Sequence, residues 1–182
     1  MKSVNIALVH HPVLNKKNEV IGSAVTNLDL HDIARAARTY GVANYYITTP
    51  YEDQRKLAGE IIGHWQTGHG ATYNPARKEA LSTIRLAESV EQVVTELKQQ
   101  NKNLLVVATS ARAYQTCISY HDLRERIENG TPVLLLFGTA HGLAPQVMEM
   151  VDTVAEPLKG ATDYNHLSVR SAASIIFDRL LG

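Results

Sequence analysis

One segment, 132–137 (PVLLLF), constrains the fold more than any other part of the chain. Its side chains are apolar at successive positions, so both faces of a strand in this segment must be covered. Such a strand is typical of the middle of a parallel sheet that has helices on both faces. Shorter apolar segments predict further strands at 4–9, 43–48, 104–108 and 153–155.

The segments between these strands have apolar residues at helical spacing. Asn27 or Asp29 is expected to cap the first helix, and Ser89 is expected to cap a later one through a capping box. Ser119 is expected to cap the helix over 119–129. The glycines of segment 63–70 (GHWQTGHG) predict a loop. The expected helices cover 28–40, 51–63, a short stretch after Pro75, 90–97, 119–129, 145–150 and 168–181. This alternation predicts a single α/β domain over 1–182, with a mainly parallel sheet flanked by helices.

Composition excludes several classes of protein. The single cysteine, Cys117, excludes a disulfide framework and a cysteine-rich zinc site, and we expect it to be buried. The histidines form no helical i,i+4 pair, so no metal site is expected. No apolar run approaches the roughly 20 residues of a membrane span, which favours a cytoplasmic protein. With 18 Lys+Arg against 18 Asp+Glu, nucleic-acid binding would need a local basic cleft.

Three loops at strand ends are the candidate functional segments, because ligands of parallel sheets bind beyond the carboxyl ends of the strands. The first, 109–112 (TSAR), has small residues and free backbone N–H groups, although a simple strand-to-helix turn would look the same. The second, 137–143 (FGTAHGL), has two glycines that permit close backbone approach or a tight turn. The third, 158–168 (LKGATDYNHLS), leads into the last helix, where Asn165 or Ser168 could cap it.

The segments 33–41 (IARAARTYG), 135–143 (LLFGTAHGL) and 166–172 (HLSVRSA) resemble, in this order, the three motifs of a known superfamily. It is the SPOUT superfamily of trefoil-knotted, S-adenosylmethionine-dependent RNA methyltransferases. Arg35 stands at the arginine of the first motif, whereas Asp29 and Ser168 stand where asparagine is usual. The second motif lacks the glutamate of the ribose-modifying branch, which favours base-modifying relatives.

The combination of FGTAHGLAP with DYNHLSVRSA is similar to a small bacterial group within this superfamily. That group is related to the C-terminal domain fused to some tRNA guanine-N1 methyltransferases. The resemblance implies methyl transfer to a tRNA or rRNA nucleotide, a homodimer, and a trefoil knot within about 104–182. It also implies S-adenosyl-L-methionine as the cofactor, gripped by the three loops. The implied cofactor-binding residues are Thr109, Ser110, Ala111, Phe137, Gly138, Thr139, Ala140, His141, Gly142, Leu158, Tyr164, Asn165, Leu167, Ser168 and Ser171.

Three residues are candidates for catalysis. Asp163 is the only carboxylate of the third loop, so it could act as the acid or base, or it could form a local turn. His166 could carry a proton near neutral pH or simply pack. Arg35 could orient RNA or could be a solvated surface side chain. Two other functions remain open: a knotted domain that binds cofactor or RNA without catalysis, and an unrelated α/β enzyme acting on a small phosphorylated metabolite.

Overall fold

The computed structural model describes residues 3–182. Strands and helices alternate along this range, as the sequence predicts. The strands are β1 (Val4–Val9), β2 (Val13–Leu14), β3 (Val20–Ile21), β4 (Asn44–Thr48), β5 (Ile84–Ala87), β6 (Leu105–Ala108), β7 (Cys117–Ile118), β8 (Val133–Gly138) and β9 (Thr153–Ala155). The helices are α1 (Asn27–Thr39), α2 (Glu52–Gln66), α3 (His69–Tyr73), α4 (Pro75–Leu81), α5 (Val90–Gln100), α6 (Tyr120–Glu128), α7 (Pro145–Met148) and α8 (Val169–Leu181).

Seven of these strands form one parallel sheet in the order β5-β4-β1-β8-β6-β9-β7. β8 lies at its centre, between β1 and β6, and its residues 133–137 are buried. The prediction that the PVLLLF segment occupies mid-sheet is therefore confirmed. β2 and β3 form a separate antiparallel hairpin, which the sequence analysis did not predict.

Helices cover both faces of the sheet. The larger apolar core packs α1, α2, α4, α6 and α8 on one face, and the smaller core packs α5 and α7 on the other. Phe177 of α8 contacts the ring of Phe137 edge-on, with the ring centroids 5.9 Å apart. This two-sided burial explains why β8 has no polar side chain.

Helix caps follow the sequence prediction at most positions. Ser89, Ser119 and Ser168 each accept a hydrogen bond from a backbone N–H in the first turn of the following helix. The cap of α1 is Thr26, so the expectation of Asn27 or Asp29 was wrong. Asp29 instead completes the cap, because its carboxylate accepts the Thr26 hydroxyl at 2.7 Å.

Two further expectations were wrong. The predicted loop 63–70 is mostly helical, since α2 continues through Gly63 to Gln66 and α3 begins at His69. Trp65 stabilises this continuation, because it packs against the main core and lies under the Arg77 guanidinium. Cys117 is exposed on β7 at the edge of the sheet.

The last helix, α8, lies on the same face of the sheet as α1 and α6. Tyr40 at the end of α1 donates a hydrogen bond to Asp178, and Arg124 of α6 donates to the Gly182 carbonyl at 2.6 Å. Within residues 3–182, no helix has the length and apolar character that a bilayer crossing requires.

Candidate functional site

Three loops of the chain emerge at the same edge of the sheet. They follow β6, β8 and β9, which are parallel neighbours, so their carboxyl ends face one way. These are the segments 109–116, 139–144 and 156–168. The expectation that the candidate loops share one edge is confirmed.

The first and third loops touch through Asn165, whose side-chain amide donates to the Ala111 carbonyl at 3.3 Å. Thr109 is held at the base of the first loop, where its N–H and its hydroxyl both donate to the Leu136 carbonyl. Beyond these contacts, residues 110–115 and 157–167 form no backbone-to-backbone hydrogen bond within the described part of the chain. Two facing segments therefore offer backbone donors and acceptors to a ligand.

The second loop is held by more backbone hydrogen bonds than the other two. A Cβ atom on Gly138 would lie 3.0 Å from the Leu143 nitrogen, so the chain doubles back on itself there. Gly142 has φ +113°, which side chains disfavour, and Ala140 has φ +52°. The loop, hereafter the glycine loop (138–142), is thus built on glycine at both of its ends.

The β2–β3 hairpin lies against the glycine loop. Leu14 donates from its backbone to the Gly142 carbonyl and accepts from the His141 N–H, both at 2.9 Å. Lys16 and Lys17 are exposed beyond this contact. The hairpin thus holds the glycine loop through two backbone hydrogen bonds.

An ion pair joins the first and last motifs across the fold. Arg170, in the first turn of α8, donates to the Asp29 carboxylate at 2.9 Å, and Asp29 is buried. The Tyr45 hydroxyl donates to the Asp29 carbonyl at 3.3 Å. The sequence analysis missed the role of Arg170. The pair could have been predicted from two residues of opposite charge: Asp29, where asparagine is usual, and Arg170 inside the third motif.

Asp163 and His166 lie in the third loop, and both are exposed. The imidazole of His166 packs on the Tyr164 ring at 5.8 Å between centroids, and Tyr164 is itself exposed. Both candidates are therefore accessible to a ligand at the loop edge.

Arg35 lies elsewhere in the protomer. It lines an open groove of about 740 Å³ between α1 and α2, and no residue of the three loops lines that groove. His31 and Trp65 form one wall, with their rings 5.4 Å apart. Burial, with a smaller effect of the Arg77 charge, lowers the pKa of His31 below its usual value. Within one protomer, Arg35 is thus separated from the other candidates.

The remaining predicted residues differ in what they can offer a ligand. Phe137 and Leu158 are buried, so only their backbone atoms can reach a ligand. Thr139 uses its hydroxyl inside the protein, where it donates to the Val9 carbonyl at 3.0 Å. Ser168 and Ser171 form the cap of α8, while Leu167 and Ala140 are exposed and Ser110 is half-buried.

Comparisons with known proteins match the whole described chain. The family described as SAM-dependent RNA methyltransferase matches residues 3–182. A protein of Oleidesulfovibrio alaskensis named tRNA (guanine-N(1)-)-methyltransferase is 46% identical over all 182 residues, which span only 42% of that relative. A protein of Aquifex aeolicus, named only as uncharacterized, is 40% identical over 98% of this chain and 88% of its own length.

Solved structures share the fold at low identity. The TrmH/SpoU tRNA modifying enzyme of A. aeolicus superposes with a TM-score of 0.61 at 17% identity, over 100% of this chain and 75% of that one. The SpoU methyltransferase AviRb from Streptomyces viridochromogenes, in complex with AdoMet, gives 0.59 at 14% identity, over 99% and 57%. The sheet order, the loop edge and the full-length family match agree: this chain belongs to the SAM-dependent RNA methyltransferases and has the SPOUT fold.

Proposed function

We propose that this chain transfers a methyl group from S-adenosylmethionine to a nucleotide of tRNA or rRNA, at a base rather than at a ribose. The observation that carries the proposal is the meeting of three loops at one edge of a parallel sheet. The chain spans about two fifths of the curated relatives named tRNA (guanine-N(1)-)-methyltransferase. The guanine in their name therefore does not by itself define the nucleotide that this chain modifies.

The loops fit S-adenosylmethionine. Four backbone groups of 110–115 and 157–167 bond to side chains: the N–H groups of Arg112 and Tyr164 and the carbonyls of Ala111 and Tyr114. The other backbone N–H and C=O groups of these segments have no partner among the described residues and match the donors and acceptors of an adenine edge. The close backbone approach at Gly138 and the positive φ of Gly142 both require glycine. The glycine loop therefore has no side chain at those two positions, where a ligand can approach the backbone. When bound, the cofactor supplies a methyl group on a sulfonium, which needs no metal to activate it.

Asp163 is our candidate for the base. Its carboxylate is exposed in the third loop, where it can take a proton from the accepting nucleotide atom or stabilise a nearby positive charge. His166 lies two residues before Ser168, the cap of α8, and it is also exposed. It is the second candidate to hold that proton, and its tilted contact with Tyr164 orients its ring.

We propose a homodimer because one protomer leaves Arg35 apart from the loops. Three exposed apolar residues are close in sequence to Asp29 or Arg170: Leu28 on α1, Leu167 just before α8 and Ile175 on α8. A second copy covering this surface would remove apolar area from water. It could also bring its own Arg35 to the loops, where a guanidinium can orient a phosphate or a base.

We also propose that residues 1–182 form one domain and that α8 is threaded through the chain segment formed by the preceding loops. The position of β9 between β6 and β7, followed by the return of α8 to α1, supports this path. A tRNA or rRNA substrate would place the protein in the cytoplasm.

A second function is favoured by one observation. Within residues 3–182, neither Asp163 nor His166 has a hydrogen-bond partner that would orient it as a base, so a domain that binds cofactor and RNA without catalysis is the alternative. The family match removes the other alternative, an unrelated enzyme of small phosphorylated metabolites.

The deciding experiment is incubation of hypomodified tRNA and rRNA with labelled S-adenosylmethionine, followed by nucleoside mass analysis. We expect label in a base-methylated nucleoside. Label in a 2′-O-methyl nucleoside would overturn the choice of base, and cofactor binding without any labelled RNA would select the non-catalytic function.

A further inference from the structure

His10 is a fully buried histidine that lies outside the three loops. It follows β1 directly, and its relative exposure is 0%. The strand order reverses next to β1, since β4 and β5 lie on one side and β8, β6, β9 and β7 on the other. Ligands of open parallel sheets bind at such a reversal, beyond the carboxyl ends of the strands.

A chain of short contacts leads from His10 to the glycine loop. The Nδ1 atom of His10 lies 2.9 Å from the Ser23 hydroxyl, which lies 2.6 Å from the Thr139 hydroxyl. Thr139 in turn donates to the Val9 carbonyl at 3.0 Å. Two segments distant in sequence, the end of β1 and the glycine loop, are thus linked through one serine.

The last contact fixes the direction of all the others. A carbonyl oxygen can only accept, so the Thr139 hydroxyl donates its single proton to the Val9 carbonyl. Thr139 must therefore accept from the Ser23 hydroxyl. The Ser23 hydroxyl also lies 3.4 Å from the His10 carbonyl, a longer contact than the 2.6 Å to Thr139. Whichever of these two acceptors takes the Ser23 proton, none is left for the His10 ring, so His10 must donate from Nδ1. His10 is therefore the Nδ1–H tautomer, and its buried Nε2 carries a lone pair with no partner among the described residues.

Charge on this ring is disfavoured. Burial lowers the pKa of His10 to about 4, although the Asp29 carboxylate opposes part of that effect. The ring is thus neutral at physiological pH, and one proton on Nδ1 is sufficient for the chain of hydrogen bonds.

We propose that His10 is a positioning residue for the cofactor: its Nδ1–H holds Thr139 through Ser23 and so fixes the glycine loop in the conformation that receives S-adenosylmethionine. This inference rests on the proposed function, because it assigns the glycine loop to that ligand. It gives His10 and Ser23 a task at the site although neither touches the ligand. It also explains why a buried histidine is linked to two half-buried hydroxyls beyond the end of β1.

Two substitutions separate the ring nitrogens. The amide nitrogen of Asn can take the place of Nδ1, whereas the amide of Gln reaches the place of Nε2. We expect His10→Gln to weaken S-adenosylmethionine binding at least tenfold by calorimetry, and His10→Asn to stay within about threefold of the unmodified protein. Ser23→Ala should weaken it as His10→Gln does, and combining the two should add little, because both break one chain.

A spectroscopic measurement tests the assignment without ligand. Nitrogen-15 chemical shifts distinguish a protonated from a bare ring nitrogen, and we expect a protonated Nδ1 and a bare Nε2 at pH 7. A proton on Nε2, or equal binding by His10→Gln, His10→Asn and the unmodified protein, would overturn the inference and leave the proposed function intact. Should the unmodified protein bind no S-adenosylmethionine, the proposed function fails and the inference fails with it. If His10→Gln does not fold, Ser23→Ala carries the binding test alone.

Discussion

Arg170 of the last helix and Asp29 of the first helix form an ion pair with 2.9 Å between Nη1 and Oδ1. The Nε atom of Arg170 also lies 3.5 Å from the Asp32 carboxylate. Asp29 is mostly buried and belongs to the cap of α1. The two helices that carry the first and third motifs are therefore locked together at their first turns.

This pair should contribute measurably to stability. In a double-mutant cycle with Asp29→Ala and Arg170→Ala, we expect a coupling energy of about 1–2 kcal/mol, as for hydrogen bonds to half-buried charges. Urea unfolding measures it. The matched control is the exposed Arg38–Glu79 pair, for which the coupling should stay below about 1 kcal/mol. Equal coupling in the two cycles would show that the buried pair has no special role.

Asp163→Asn should lower turnover by about 100-fold or more, because the amide cannot accept a proton from the nucleotide. Binding of S-adenosylmethionine should be unchanged. Single-turnover methyl transfer to tRNA and calorimetry measure the two quantities. Asp53→Asn, at the exposed first turn of α2, makes the same chemical change away from the loops and should leave turnover as it was. Full activity of Asp163→Asn would eliminate this carboxylate as the base.

Gly142→Ala should destabilise the protein by about 1–3 kcal/mol, because its φ of +113° is strained for any residue with a Cβ. It should also weaken cofactor binding, since relief of the strain would move the glycine loop. Gly160→Ala makes the same substitution where nothing lies within 4 Å and no positive φ is required. Thermal unfolding of both variants is the check, and similar losses in the two would contradict the role given to Gly142.

Acid should destabilise the folded state through His10. The folded pKa is about 4 and the unfolded value is 6.5, so between these values the unfolded chain binds an extra proton. The free energy of unfolding should therefore fall by as much as about 3 kcal/mol as the pH drops from 6.5 to 4. Urea titrations at several pH values measure this slope. His10→Asn should flatten it, and an unchanged slope would show that other groups cause the acid sensitivity.

Leu28→Asp should dissociate the proposed homodimer, because Leu28 is 60% exposed in the first turn of α1, beside the Asp29–Arg170 pair. Leu57→Asp places the same charge on a leucine of α2 that is 44% exposed, and it should leave the assembly intact. Sedimentation velocity distinguishes a dimer from a monomer. A monomeric unmodified protein would refute the homodimer itself, whereas dissociation by Leu57→Asp alone would move the interface to the α2 side of the groove between α1 and α2, which Leu28 also lines.

Local patterns predicted much of this fold. The uninterrupted apolar run at 132–137 identified the central strand because only a strand covered on both faces requires it. Serines that precede apolar stripes identified the caps Ser89 and Ser119, and Ser168 was one of two candidates for a third. The shared edge of the loops followed from the parallel sheet alone.

What the sequence could not provide was contact between distant segments. The Asp29–Arg170 pair and the link from His10 to Thr139 join residues far apart in the chain, so no spacing rule finds them. The β2–β3 hairpin has strands of two residues, too short to show a period. The helix across Gly63 was missed because tertiary packing of Trp65 outweighs a glycine's weak helical propensity.

The pairing of β1 with β8 at the middle of the sheet has a consequence for biosynthesis. Val4 lies beside Val133, so β1 waits until β8 has been made before its second edge is covered. β1, β4 and β5 can associate while translation continues, but the two halves of the sheet join only after β8 has left the exit tunnel. Such long-range pairing is slow. The second edge of β1 is therefore exposed while residues 10–132 are made, and it is during this interval that we expect the nascent chain to depend on chaperones.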